Sequence, residues 1–270
     1  MHPACLVLLL AVGAPTATPP APSRTALLAR GDEAFAWRGD PVRLAEALSA
    51  YEQAARLAPG DPAAELRLAR AEAFRALADP SDARAAWVEA SRAAERVLRR
   101  LSPAWAEAVD AGDLVGAPAR VGPEGAEALY WLALATGASA REKGFAAVLA
   151  VKDASMAAME RAAALDGAID CGGPHRALGA WAASLPAAVG GGAARSRRHF
   201  EQARAAGPGC LLGPVAEAGS LLVLLQDRAA FERALDEVMA AGDADPRWAP
   251  ENAVARRQAR ELRARAAGLF

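Results

Sequence analysis

From Arg24 to Phe270 the apolar residues recur three and four apart, with almost no strict alternation. That is the period of helices packed on one face. The pattern is clearest from Cys171 to Pro208. Pro174 suits the first turn of a helix, where its missing N–H has no partner to lose. Leu178, Trp181 and Leu185 follow as one apolar face, and Pro186 with Gly190-Gly191-Gly192 ends the helix. A second helix carries Phe200 and Ala203 on one side and stops at Gly207-Pro208. A large residue followed three positions later by a small one lets two helices approach closely. The stretch therefore predicts a helical hairpin.

The same rhythm predicts helices along the rest of the chain. Arg24 to about Ala58 reads as helix, loop, helix, broken at Gly39-Asp40-Pro41. Residues 63–78 and 81–100 form a second pair around Asp79-Pro80-Ser81, with Ser81 or Asp79 as the cap of the second helix. A Gly- and Pro-rich stretch, Ala111 to Gly122, is the candidate internal boundary. Beyond it we expect a pair over 124–150, then helices over 153–165, 174–186, 193–206, 214–225, 228–241 and 250–268. The last of these sets Ala253, Leu262, Ala266 and Leu269 opposite a row of arginines, as a solvated helix closing a stack would.

A short motif recurs. Tyr51-Glu52-Gln53-Ala54 returns as Met159-Glu160-Arg161-Ala162, Phe200-Glu201-Gln202-Ala203 and Phe231-Glu232-Arg233-Ala234, with a looser copy at Trp87. The steps are uneven but lie near the period of about 34 residues of tetratricopeptide repeats. The second helix of such a repeat carries this large–small pair and ends near a proline, as Pro59 and Pro208 do here. The expected fold is all-α: a right-handed stack of antiparallel helical hairpins, read as degenerate tetratricopeptide repeats. No hairpin buries its face alone, so stacking makes the core and leaves a concave surface.

Composition narrows the partners. The 270 residues carry 31 Lys and Arg against 32 Asp and Glu, a net charge of −1, with arginine interleaved with acid. That balance speaks against nucleic acid, which needs a one-sided basic face. The first 23 residues hold an apolar run, Leu6 to Val12, too short to span a bilayer. They read as a secretory signal and Pro-rich tether, against the alternative of an intact cytosolic protein with an apolar tail. Cys5 precedes that run, whereas a lipoprotein cysteine follows it. The expected organisation is 1–23 signal and tether, 24–110 N-terminal hairpins and 124–270 a C-terminal repeat domain.

Candidate chemistry is sparse. Cys171, His175, His199 and Cys210 are zinc-ligand types, but His199 stands roughly 16 Å from Cys210 along its helix, so we expect no metal. In an antiparallel hairpin Cys171 and Cys210 fall at the same end, which leaves a disulfide or two free thiols. The triple glycine is followed by no Gly-Lys-Ser/Thr, so it reads as a turn and not as a phosphate cradle. No Ser/His/Asp arrangement or nucleophile elbow occurs, and we expect no catalysis and no cofactor. His175 reads as a hydrogen-bonded histidine at a helix start. Tyr130, Trp131, Trp181 and Trp248 are either core or the lining of a concave site.

Several runs in order resemble one family. Ala128-Leu129-Tyr130-Trp131 with Ala133 and Ala135 looks like its "LYW" helix. Gly173-Pro174-His175-Arg176, Leu185-Pro186, Gly190-Gly191 and His199 to Ala203 look like its central hairpin. Leu225 to Arg228, Asn252-Ala253, Arg257, Ala259 and Leu269-Phe270 look like its C-terminal signature. These are similar to the T-component (TatT) proteins of tripartite ATP-independent periplasmic (TRAP) transporters, with the match strongest over 120–270. The resemblance implies a non-catalytic, periplasmic accessory protein, soluble or membrane-associated, that binds the solute-binding protein of the transporter and takes a small apolar ligand. Its members are typically lipoproteins, a pattern from which this chain departs. On this reading Tyr130, Trp131, His175, Arg176, Trp181 and Asn252 lie near the cleft. A homo-oligomer is left open. The second reading is a general tetratricopeptide adaptor in cell-envelope assembly.

Overall fold

In the computed structural model of the chain, residues 22–270 are described; the expected signal and most of its tether lie outside them. Among the described residues are twelve α-helices and no strand. They pair as antiparallel hairpins: α1 (Arg24–Ala36) with α2 (Pro41–Leu57), α3 (Pro62–Ala78) with α4 (Ala83–Leu101), α6 (Ala126–Lys143) with α7 (Phe145–Leu165), and α8 (Ile169–Ser184) with α9 (Ala193–Ala206). Short α5 (Pro103–Asp110) follows α4, and a 3-10 turn, Ala117–Arg120, lies in the Gly/Pro-rich stretch before α6. Then α10 (Leu212–Glu217) runs into a π-helical turn, and α11 (Arg228–Ala240) pairs with α12 (Ala249–Ala264). The fold is the expected all-α stack of helical hairpins.

Local chemistry starts these helices where it should. Asp40, Asp61 and Ser102 each accept a backbone N–H at a helix start, and Pro41, Pro62 and Pro103 sit in the turn that follows. The repeated motif is the packing unit: Tyr51, Trp87, Met159, Phe200 and Phe231 are all buried, as are Ala54, Ala90, Ala162 and Ala203. One core runs through the stack from Leu27 to Ala266.

Four expectations shift. The break expected near 150 falls at Gly144, whose φ of 102° no side-chain-bearing residue adopts easily, and α7 then runs unbroken to Leu165. Nothing between Val151 and Asp153 stops a helix. Asp79 holds the Pro80 turn through the Ser81 N–H and hydroxyl and does not cap α4, which starts later, after Asp82. The helix expected over 214–225 is a short α-turn followed by the π turn, closed at Gln226 with φ 53°. On α12 the buried stripe is Val254, Ala255 and Ala259, whereas Ala253 is exposed.

The last helix returns to the first hairpins. Arg38, just after α1, pairs with Glu251 in the first turn of α12. Pro250 sits 3.6 Å from the position a side chain on Gly39 would take. Arg257 donates to the carbonyls of Leu77 and Ala78 at the end of α3. Those carbonyls are left without intrahelical partners at a helix end, so the cation both bonds them and complements the helix dipole. The two ends of the stack are thereby joined along a seam.

Candidate functional site

Two cavities lie along this seam and beside it, and one cluster of side chains forms the wall they share. The cluster begins with a backbone break. Asp170, Cys171 and Gly172 all have positive φ (48°, 49° and 79°) before α8 becomes regular. Such backbone in non-glycine residues is held only by surroundings that over-determine it. Here Cys171 is joined through sulfur to Cys210, with the two Cα atoms 6.2 Å apart. The break aims Asp170 inward. Its carboxylate accepts from Arg176 Nη2 at 2.6 Å and from the Tyr130 hydroxyl, and Arg176 also bonds the Asp170 carbonyl at 3.1 Å. A Cβ on Gly173 would stand 2.4 Å from the Tyr130 oxygen, so glycine is required for α8 to come this close. Burial, followed by the Asp170 charge, holds the Tyr130 hydroxyl well above its ordinary pKa. Burial alone would lower Arg176, but Tyr130 and Asp170 outweigh it and keep the guanidinium charged.

The first cavity, about 450 Å³, lies on the seam between α1, α3, α6 and the start of α12. Trp131, Phe35 and Phe74 supply its apolar wall. Its charges are mixed: Arg38, Arg70 and Arg247 face Glu127, Asp166, Asp170 and Glu251. The central pair is Arg38–Glu251, with Nε to Oε1 at 2.8 Å and both side chains under a tenth exposed. Arg38 also donates to the Arg247 carbonyl at 2.7 Å and lies 4.9 Å from the centre of the Phe35 ring. Burial pushes Glu251 up against the opposing pull of Arg38.

The second cavity, about 550 Å³, is enclosed by α6, α7 and α8, with Leu77, Leu212 and Gln258 from other helices. Leu134, Val148, Leu149 and Trp181 are among its apolar lining. Phe145 and Leu149 stand at its rim, 77% and 51% exposed, an unusual placing for large apolar side chains. Three cations line it, Arg141, Lys152 and Arg176, and no carboxylate does. Arg176 is neutralised by Asp170 and Lys152 is paired with Asp153. Arg141 has neither a hydrogen bond nor an ion pair among the described residues. Its side chain is exposed to solvent; the partial burial of its head lowers its pKa, against the opposing charge of Glu142.

Three of the six residues expected near a cleft come together in the second cavity: Tyr130, Arg176 and Trp181. Trp131 faces the first, with its indole N–H donating to Glu127 at 3.0 Å. Trp248 lines that cavity as well. His175 lines neither. It meets His199 with the two Nδ1 atoms 3.3 Å apart, so one ring donates and the other accepts. Burial, reinforced by His175 and by Arg195 and Arg198, brings His199 down to about 4. Asn252 is fully buried and also lines neither cavity: it accepts from the Leu211 N–H at 2.8 Å and donates to the Gly209 carbonyl and Asp243, stapling α12 to the segment after α9.

Sequence reasoning did not single out Arg38, Glu251, Asp170 or Arg141. Arg38 and Glu251 are 213 residues apart and carry no mutual signal. Arg141, in the last turn of α6, reads in sequence as an ordinary cation at a helix C-terminus. Among the described residues, no group of three or more His, Cys, Asp or Glu is gathered as a metal site, and no helix is long and apolar enough to cross a membrane.

A family model described as the TRAP transporter T-component (TAtT) matches residues 44–270, from α2 to the final residue. It begins well ahead of the motifs by which the resemblance was recognised. No curated protein matches the chain.

Proposed function

The chain belongs to the TRAP transporter T-component family, and we propose that it is a non-catalytic accessory scaffold of such an uptake system. In this reading it binds the solute-binding subunit through the outside of the stack and holds a small, largely apolar ligand in the cavity between α6, α7 and α8. The single observation that carries the ligand half is that cavity: about 550 Å³, within the usual range of small-molecule sites, with apolar walls and a few polar groups. The hairpins over 24–110 close the seam cavity, and the repeat domain over 124–270 carries the ligand cavity. The Cys171–Cys210 pair supports a periplasmic location, because such bonds persist in oxidising compartments. Mass mapping of the exported protein should find both thiols blocked until reductant is added.

The partner half is tested by crosslinked pull-down from periplasmic extract with the full tagged chain. Recovery of a TRAP-type solute receptor is the expected result. Recovery of outer-membrane assembly factors would replace this reading with the general envelope adaptor, and recovery of nothing specific would overturn it.

A further inference from the structure

Two neighbouring hairpin turns carry no charge over unusually long runs. From Gly144 to Val151 the sequence is Gly-Phe-Ala-Ala-Val-Leu-Ala-Val, and no residue from Ala177 to Ala194 is charged. Both turns reach the same cavity, Phe145 and Leu149 from one and Ser184 and Leu185 from the other. Not one residue from Gly144 to Val151 is buried, and Pro186, Ala187 and Ala188 are exposed as well. The α1–α2 turn is the contrast: Trp37 is 69% exposed there, but Arg38 and Asp40 stand beside it. A single exposed aromatic is ordinary; a contiguous apolar face marks something that covers it.

Cations collar this face. Lys143 and Lys152, the only lysines in the chain, bound the first run, and Arg195, Arg197 and Arg198 follow the second. Residues 141–153 and 177–198 together hold six basic residues against Glu142 and Asp153, in a chain whose net charge is −1. Lys152 is tied to Asp153, and Arg195 to Glu160. Lys143, Arg197 and Arg198 are exposed and make no ion pair among the described residues.

The face offers a partner protein little to recognise. Residues 144–151 and 185–194 have no side chain that donates or accepts a hydrogen bond. A protein interface carries about one hydrogen bond per 100–200 Å² and is depleted in lysine. The glycines of both turns also donate inward: Gly144 to Ala140, Gly190 to Ala187, Gly191 to Pro186 and Gly192 to Ala182. Backbone donors met within the chain, apolar side chains, and lysines whose long stems carry the charge back to water suit a lipid interface.

We propose that this end of the stack docks on an anionic bilayer surface. Phe145, Leu149 and the Pro186–Ala188 turn enter the boundary between headgroups and acyl chains, and the cationic collar is drawn to lipid phosphates. The first run rises only about 12 Å along its helix, against a hydrocarbon core of about 30 Å, so the contact stays within one leaflet.

The test is flotation of the exported protein with vesicles of phosphatidylcholine alone and of phosphatidylcholine mixed equally with phosphatidylglycerol. The mixed vesicles should bind roughly tenfold more tightly. Phe145→Ser with Leu149→Ser should weaken that binding by roughly tenfold, with circular dichroism and melting unchanged because both side chains are exposed. Lys143→Glu with Arg197→Glu should remove the preference for the mixed vesicles, and Trp37→Ser should change nothing. No vesicle binding, no preference for the anionic lipid, or an equal loss in Trp37→Ser would overturn the proposal. So would full binding by the double serine variant, which would place the contact elsewhere in the chain, residues 1–23 included. If the serine variant does not fold, the charge variant and the lipid preference of the wild type still decide. Sedimentation velocity separates the other occupant: self-association that the serine changes abolish, without vesicle binding, would make this face a contact between copies and remove the lipid. Vesicle binding needs no receptor, so it and the receptor pull-down fail separately.

Discussion

The seam cavity and the ligand cavity share the Tyr130–Asp170–Arg176 wall, and Leu77 lines both, yet they are built on opposite electrostatic plans. Along the seam, three arginines meet four carboxylates, and the deepest pair is also bonded to a carbonyl and laid over a ring. In the ligand cavity three cations meet no carboxylate, and Arg141 has no ion-pair partner among the described residues. Charges that answer one another hold two parts of a chain together. Cations beside an apolar wall with no carboxylate among them join nothing, and leave the cavity free for something that binds there. The difference separates a joint from a receptacle, although both are concave and both contain a tryptophan.

The strongest way to break that distinction is to unseat the joint. Arg38→Ala leaves Glu251 buried, charged and unpaired, which costs about 3–5 kcal/mol. Urea unfolding should show that loss, with Arg141→Gln changing stability by less than about 0.5 kcal/mol in the same experiment. Equal effects would mean that the two cavities are not different in kind.

The two tryptophans sharpen the comparison. Trp131 is 3% exposed, and Trp131→Ala should cost about 3–5 kcal/mol while leaving ligand affinity intact in whatever fraction folds. Trp181 is only partly buried, and Trp181→Ala should cost about 1–2 kcal/mol and weaken binding of an apolar probe such as decanol. Tryptophan substitutions that lower affinity from both sites would show one continuous binding space.

The smallest effect concerns α8, whose outer face carries His175 against His199. His199 is depressed from 6.5 to about 4, so between those values the unfolded chain binds more protons than the folded one. Stability therefore falls as pH drops through that window and levels off below it. After allowance for solvent screening the loss is roughly 1–2 kcal/mol. His199→Gln should flatten the dependence of the urea midpoint between pH 7 and 5. Affinity for a neutral apolar probe such as decanol should stay constant over the same range, because His175 and His199 line neither cavity.

Much of the fold was legible in the sequence because it is local. Helix starts are written in Asp40-Pro41, Asp61-Pro62 and Ser102-Pro103, and the buried faces in the repeated large–small motif. The α8–α9 hairpin was readable down to its glycine turn. What failed was placement that depends on the whole stack. Tyr130 and Trp131 are neighbours in sequence but turn into different cavities, because successive helix residues point about 100° apart. Asn252 looked like a cleft residue and is a buried staple, since its partners Gly209, Leu211 and Asp243 come from segments brought together only by packing. Arg141 was invisible for the opposite reason: its significance is the absence of a partner, and sequence spacing reports only what is present.

Hydrogen exchange of the full chain with and without an apolar probe such as decanol tests the distinction most directly. The account predicts added protection across residues 137–152 and in α8 near Trp181, with none around Arg38 or residues 247–251. Protection concentrated at the seam, or spread evenly over both regions, would contradict it.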